Sequence, residues 1–161
     1  MTEYADLKAH IEQALELYNY YIINSTATFH IKTLTADSFT EMSIKPDGPY
    51  ESFAVIHDGV FGGYAYYSAY SMREAYRRTA EAVIYLKPSF HGMGIGSGAL
   101  EQLETRAFSN GIRVMIARVT DGNLPSINLF VRHGYECCGL MRNVGEKAGK
   151  LLSVRIYLKE L

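Results

Sequence analysis

Four glycines alternate at positions 92, 94, 96 and 98 in the stretch His91-Gly92-Met93-Gly94-Ile95-Gly96-Ser97-Gly98-Ala99. A β-like run, Ala82-Val83-Ile84-Tyr85-Leu86, enters it, and apolar residues at helical spacing, Leu100, Leu103 and Ala107, leave it. Strand, glycine turn and helix together build an anion site. Glycines let backbone N–H groups converge, and the helix N-terminus adds partial positive charge. The chemistry implied is the holding of a phosphate or pyrophosphate. No Lys-Ser or Lys-Thr follows the last glycine, which sets a Walker A loop aside. A dinucleotide fingerprint can be drawn as Gly94-x-Gly96-x-x-Ala99, with Asp121 about 20 residues later, but an antiparallel pattern precedes it rather than the start of a βαβ unit. A ligand-free turn is the plain alternative. Glycine at a helix start costs up to ~1 kcal/mol against alanine, and close approach of a ligand is a usual reason to keep one.

Three further groups carry chemical potential. Glu81 alternates with Thr79, Val83 and Tyr85 on one face of the strand. A carboxylate there must be solvated or paired, and read alone it is an exposed residue bonded to Arg77 or Arg78. Asp121-Gly122-Asn123 reads as a helix N-terminus with Asn123 as its cap. The only cysteines, Cys137 and Cys138, are adjacent and fit neither a disulfide framework nor a zinc site. No base spacing supports a thiol nucleophile, and a reducing cytoplasm is the simple inference.

These residues need elements to position them. The pattern predicts a short strand over Thr2 to Leu7 and a helix from His10 to Asn24 with a stripe of Ile11, Leu15, Tyr18 and Ile22. A second short helix spans Phe39 to Ile44. A meander follows: Ser52 to His57, the Asp58-Gly59 turn, Val60 to Tyr70, then Arg78 to Leu86. Helices are expected over Gly94 to Ser109 and Leu124 to His133, and strands over Ile112 to Val119, Tyr135 to Leu140 and Leu151 to Leu158. That order makes a mixed α/β sheet, not a run of parallel βαβ units. With 161 residues, 48% of them apolar, and a net charge of −1, the chain reads as one globular domain over 1–161 with no nucleic-acid partner. No 18-residue apolar run and no basic signal-peptide start predict a membrane partner or export.

His91-Gly92-Met93-Gly94-Ile95-Gly96 resembles motif A of the GNAT superfamily of acyl-CoA N-acyltransferases, Gln/Arg-x-x-Gly-x-Gly/Ala, with His91 as a departure at the first position. Tyr18-Asn19, Asn24-Ser25-Thr26-Ala27-Thr28-Phe29, Arg73-x-Ala75-Tyr76-Arg77-x-Thr79-x-Glu81, Asn123-x-x-Ser126-x-x-Leu129 and Met141-Arg142-x-Val144-Gly145-x-Lys147-x-Gly149-Lys150 resemble the phosphinothricin N-acetyltransferase-like subgroup. The likeness runs in order from about residue 4 to the C-terminus.

The resemblance implies a mostly antiparallel central sheet with splayed central strands and helices on both faces. It also implies acetyl-CoA as cosubstrate with no metal, a small amino-acid-like amine as acceptor, and a homodimer. By the same likeness, backbone groups of Ile84, Tyr85 and Leu86 pair with the pantetheine arm as an added strand would. His91, Gly92, Met93, Gly94, Ile95, Gly96 and Ser97 hold the pyrophosphate, and Asn123 and Ser126 contact the cofactor. Glu81 becomes the general base, and Phe29, Arg73, Tyr76 and Arg77 form the acceptor pocket. Arg73 would take an acceptor carboxylate in its planar fork. Several positions depart from the subgroup. Phe130 stands where many relatives carry a proton-donating Tyr, which leaves a second reading open: a CoA-binding sensing module with little turnover. His30, Ser71, Leu151 and Ser153 replace residues common in the subgroup, so the pocket is expected to be altered.

Overall fold

Asp58 and Gly59 both take positive φ, 49° and 77°, as a two-residue hairpin turn requires. They join β2 (Ser52–His57) to β3 (Val60–Ala69), and the alternating apolar residues of both strands supply two buried faces. β1 (Thr2–Asp6) adds to β2, and β4 (Thr79–Leu86) adds to β3, all antiparallel. β5 (Val114–Thr120), β6 (Glu136–Lys147) and β7 (Lys150–Glu160) complete a seven-stranded sheet of order β1-β2-β3-β4-β5-β7-β6. Only β4 and β5 run parallel. The computed structural model describes all of residues 1–161.

Helices cover both faces. α1 (Ile11–Asn24) and α2 (Ala36–Ser43) bury Ala14, Leu17, Tyr18, Ile22 and Phe39 against Ala54, Tyr64 and Tyr66. α3 (Ile95–Ser109) and α4 (Leu124–Arg132) bury Leu100, Leu103 and Phe130 against Val55, Ala65, Ala82, Met115 and Val119. Adjacent residues of one strand serve opposite cores, as period-two alternation demands. The mostly antiparallel mixed sheet with a central splay therefore stands as expected.

The β6–β7 hairpin is longer than the pattern suggested. Strand β6 continues to Lys147, not Leu140, because register shifts at Cys137/Gly139 and Met141/Gly145 absorb extra residues and Asn143 takes φ 54°. Those irregularities break the alternation that marks a strand.

A bulge in β3 shapes the strand that matters most. Val55 faces Gly63 and Ile56 faces Phe61, leaving Gly62 as the extra residue. A Cβ on Gly63 would collide with the Tyr85 carbonyl and come within 2.8 Å of Leu86 Cα. Gly63→Ala is therefore expected to cost about 3 kcal/mol. Thermal unfolding checks this; a midpoint equal to that of the parent protein would contradict the close contact.

Candidate active site

β4 and β5 pair only from Thr79 to Glu81 against Val114 to Ile116. Beyond Glu81 each strand keeps its outer neighbour, β4 with β3 up to Leu86 and β5 with β7 up to Thr120, so the two part. Between them opens a cleft of about 1290 Å³.

The orientation of the β4 backbone follows from its bonds. Thr79 O accepts from Tyr70 N–H and Lys87 N–H donates to Gly62 O, so odd-numbered groups face β3. Arg78 O accepts from Arg113 and Val114 N–H, so even-numbered groups face β5. Past the splay, Ile84 and Leu86 thus present backbone groups to the cleft, whereas the Tyr85 backbone turns to β3. The Leu86 carbonyl is already engaged: Tyr21 Oη donates to it at 2.6 Å and His91 Nε2 lies 3.2 Å away. The His91 ring therefore closes the end of β4. Burial pushes the Tyr21 phenol up to about 12, keeping it a neutral donor.

At the far end, the backbone N–H groups of residues 92–97 have no acceptor in the chain's turns, loops or caps. Gly92 and Gly94 take φ of 75° and 77° in the turn before α3 begins at Ile95. Gly98 has another reason: a Cβ there would lie 2.8 Å from Tyr4 Oη. The alternating glycines thus divide between turn, packing and site. His91, Gly92, Gly94, Gly96 and Ser97 line the cleft; Met93 points to solvent and the Ile95 side chain enters the core. Six free donors at a helix N-terminus fit a pyrophosphate.

Across the cleft, Asn123 Oδ1 accepts from Ser126 N–H at 3.4 Å, so Asn123 does cap α4, and both residues line the opening. Phe130 is buried edge-on to Tyr135, with centroids 5.0 Å apart.

Glu81 sits where β4 and β5 separate. It pairs neither with Arg77 nor with Arg78. Arg118 Nε donates to Oε1 at 2.7 Å and its NH2 to Oε2 at 2.6 Å. These hydrogen bonds hold the guanidinium above its ordinary value. Arg118 is a residue the sequence reading missed. Its signal was an arginine in the apolar run Met115-Ile116-Ala117-Arg118-Val119, two residues past the partner of Glu81 and so on the same face.

The loop between α1 and α2 roofs this end. Three successive carbonyls are each held by a donor from a different strand. Thr120 Oγ1 donates to Thr26 O at 2.6 Å, Tyr85 Oη to Ala27 O at 3.3 Å and Lys147 Nζ to Thr28 O at 2.8 Å. Burial pushes the Tyr85 phenol far up and draws the Lys147 ammonium down. The loop carries Phe29, which lines the cleft and packs its ring on Gly145. Arg73, Tyr76 and Arg77 are not brought in. They lie exposed on the connection before β4, where Tyr76 packs edge-on to Tyr70.

The sequence model of the acetyltransferase (GNAT) family matches residues 14–135. The chain belongs to this family. Among relatives, the L-methionine sulfoximine/L-methionine sulfone acetyltransferase of Pseudomonas paraeruginosa is 38% identical over 92 residues, 57% of this chain and 54% of that protein. The chain thus spans about half the length of that relative. The L-amino acid N-acyltransferase of Escherichia coli is 27% identical over 155 residues, 96% of this chain and 90% of its own. A GNAT superfamily phosphinothricin acetyltransferase from Sinorhizobium meliloti, solved in complex with acetyl-CoA, superposes with a TM-score of 0.92 at 31% identity. That alignment covers 100% of this chain and 88% of the other. In this member of the GNAT family the cleft joins the β4 edge, the glycine turn and a guanidinium beside the carboxylate of β4.

Proposed function

We propose that this chain, one domain over 1–161, moves an acetyl group from acetyl-CoA to the amine of a small amino-acid-like molecule by direct attack in a ternary complex. The observation that carries the reading is the cleft itself. One opening unites the β4 edge at Ile84 and Leu86, the glycine turn at Gly92, Gly94, Gly96 and Ser97, and Glu81. Acetyl-CoA would supply the activated acetyl as a thioester. The six amides hold its pyrophosphate, the β4 edge receives its arm, and the α4 start at Asn123 and Ser126 flanks it. Glu81 takes the proton that the attacking amine must lose, directly or through water. Phe130 has no proton to give, so solvent in the open cleft protonates the departing thiolate. A thiol with a pKa near about 8.5 leaves without a dedicated acid. Phe29 borders the acceptor, whereas Arg73, Tyr76 and Arg77 lie outside the cleft.

The names of the relatives support an amino-acid-like acceptor, since they specify methionine sulfoximine, methionine sulfone, L-amino acids and phosphinothricin. Both cysteines are free, which supports a reducing cytoplasm, and no helix is long and apolar enough to cross a membrane. Exposed Leu140, Val144 and Leu151 on the outer hairpin offer a surface to the second copy of a homodimer.

Initial rates with acetyl-CoA and L-methionine sulfone test the ternary complex. Intersecting lines are expected, and the protein incubated with acetyl-CoA alone keeps its own mass. Parallel lines with an acetylated protein would contradict direct attack. The buried Phe130 favours a second reading, a CoA-binding module. Tight acetyl-CoA binding with no turnover of any amine would establish that instead.

Phe29 yields a narrower test. A Cβ on Gly145 would collide with the Phe29 ring. Displacing the ring by Gly145→Ala costs about 1 kcal/mol, roughly a fivefold rise in the KM of the acceptor. The KM of acetyl-CoA should stay put; an equal rise in both would remove Phe29 from the acceptor side.

A further inference from the structure

The pair formed by Glu81 and Arg118 spans the point where the sheet splits, and its two members differ in exposure. The Glu81 side chain is 16% exposed and the Arg118 side chain 53%. A half-exposed ion pair adds little to stability, so stability is a weak reason to place one here. Arg118 lies two residues beyond the last position of β5 that pairs with β4, on the stretch bonded to β7 alone, and it lines the cleft. Two residues further, Thr120 holds the loop that carries Phe29. Of the other cationic side chains lining the cleft, His30 bonds Tyr18, His91 closes the end of β4, and Arg132 stands on the last turn of α4. Lys147 is buried on Thr28 O, and among these cations only Arg118 bonds the Glu81 carboxylate.

We propose that Arg118 is the receptor for the acceptor's α-carboxylate, and that an α-amino acid enters by exchanging partners with the Glu81–Arg118 pair. The inference rests on the acetyltransferase reading above. A zwitterionic amino acid carries an ammonium and a carboxylate side by side. Its ammonium replaces the guanidinium at Glu81, and its carboxylate replaces Glu81 in the planar fork of Arg118. Two ion pairs form for the one that opens, and no buried charge is left alone. The exchange also frees Glu81 from a bidentate clamp and sets it against the nitrogen that must lose a proton. An amine without a carboxylate opens the same pair and leaves Arg118 unpartnered. The site therefore selects for a carboxylate next to the amine before any side-chain contact is made.

The test compares L-methionine sulfone with its decarboxylated counterpart, 3-(methylsulfonyl)propan-1-amine, in the full chain with saturating acetyl-CoA. The parent protein should prefer the amino acid. Arg118→Gln should raise the KM of the amino acid about tenfold or more while changing that of the amine little, so the preference collapses. Arg118→Lys, which keeps the charge but not the fork, should restore part of it. An equal loss for both substrates in kcat alone would overturn the proposal, because Arg118 would then only position Glu81. A parent protein with no preference would overturn it as well. If the parent acetylates neither compound and only amines that carry no carboxylate, the amino-acid-like acceptor fails, and this inference with it. If it acetylates no amine at all, the acetyltransferase reading itself fails.

Discussion

Glu81→Gln should lower kcat/KM for the amine by about 100-fold or more, the usual contribution of a positioned base. The amide keeps the shape of the carboxylate but cannot take a proton from the attacking amine. It also withdraws the charge that holds Arg118. Acetyl-CoA binding should be unchanged, because the amides of residues 92–97 and the β4 edge lie elsewhere in the cleft. Unchanged turnover in Glu81→Gln would remove Glu81 from the chemistry.

Gly96→Asp should abolish most of the affinity for acetyl-CoA. The nearest atoms to a Cβ at Gly96 are Leu86 Cδ1 at 3.5 Å and Leu129 Cδ2 at 3.6 Å, so the site accepts a side chain without collision. Gly96 lines the cleft within the first turn of α3. A carboxylate there stands among the free amides, competes for them, and repels any phosphate they hold. Like charges about 4 Å apart repel by ~4 kcal/mol at an effective dielectric of 20. Even half of that is a loss of about 30-fold, and a loss of about 100-fold or more is expected. Calorimetry reads it directly, and circular dichroism shows whether the fold is intact. A folded variant that binds acetyl-CoA as the parent does would move the pyrophosphate away from the α3 start.

How much of this was legible in the sequence divides along the range of the interactions. The glycine turn, the helix after it and the Asn123 cap depend on neighbours a few residues away, and the sequence shows them. The unpaired edge of β4 depends on where β5 leaves it, a long-range register. It came by likeness, and the structure narrows the exposed backbone to Ile84 and Leu86. Arg118 was missed because its partner lies 37 residues away across a parallel pair. The loop anchors at Thr120, Tyr85 and Lys147 were missed for the same reason. They link positions that only a folded sheet brings together. Arg73, Tyr76 and Arg77 were carried in by motif alone. The connection that bears them leaves the sheet before β4 begins, and it holds them outside the cleft.

The central claim is that this cleft transfers acetyl from a thioester to an amine, and stoichiometry tests it most directly. The protein is incubated with acetyl-CoA and, in turn, methionine sulfoximine, phosphinothricin, common amino acids, polyamines and a lysine peptide. Free thiol and acetylated amine are then measured together. The account predicts equal amounts of thiol and of N-acetylated product with at least one α-amino-acid-like member, and none without an acceptor. Thiol release with no acetylated amine, or no release across the whole panel while acetyl-CoA still binds, would contradict it.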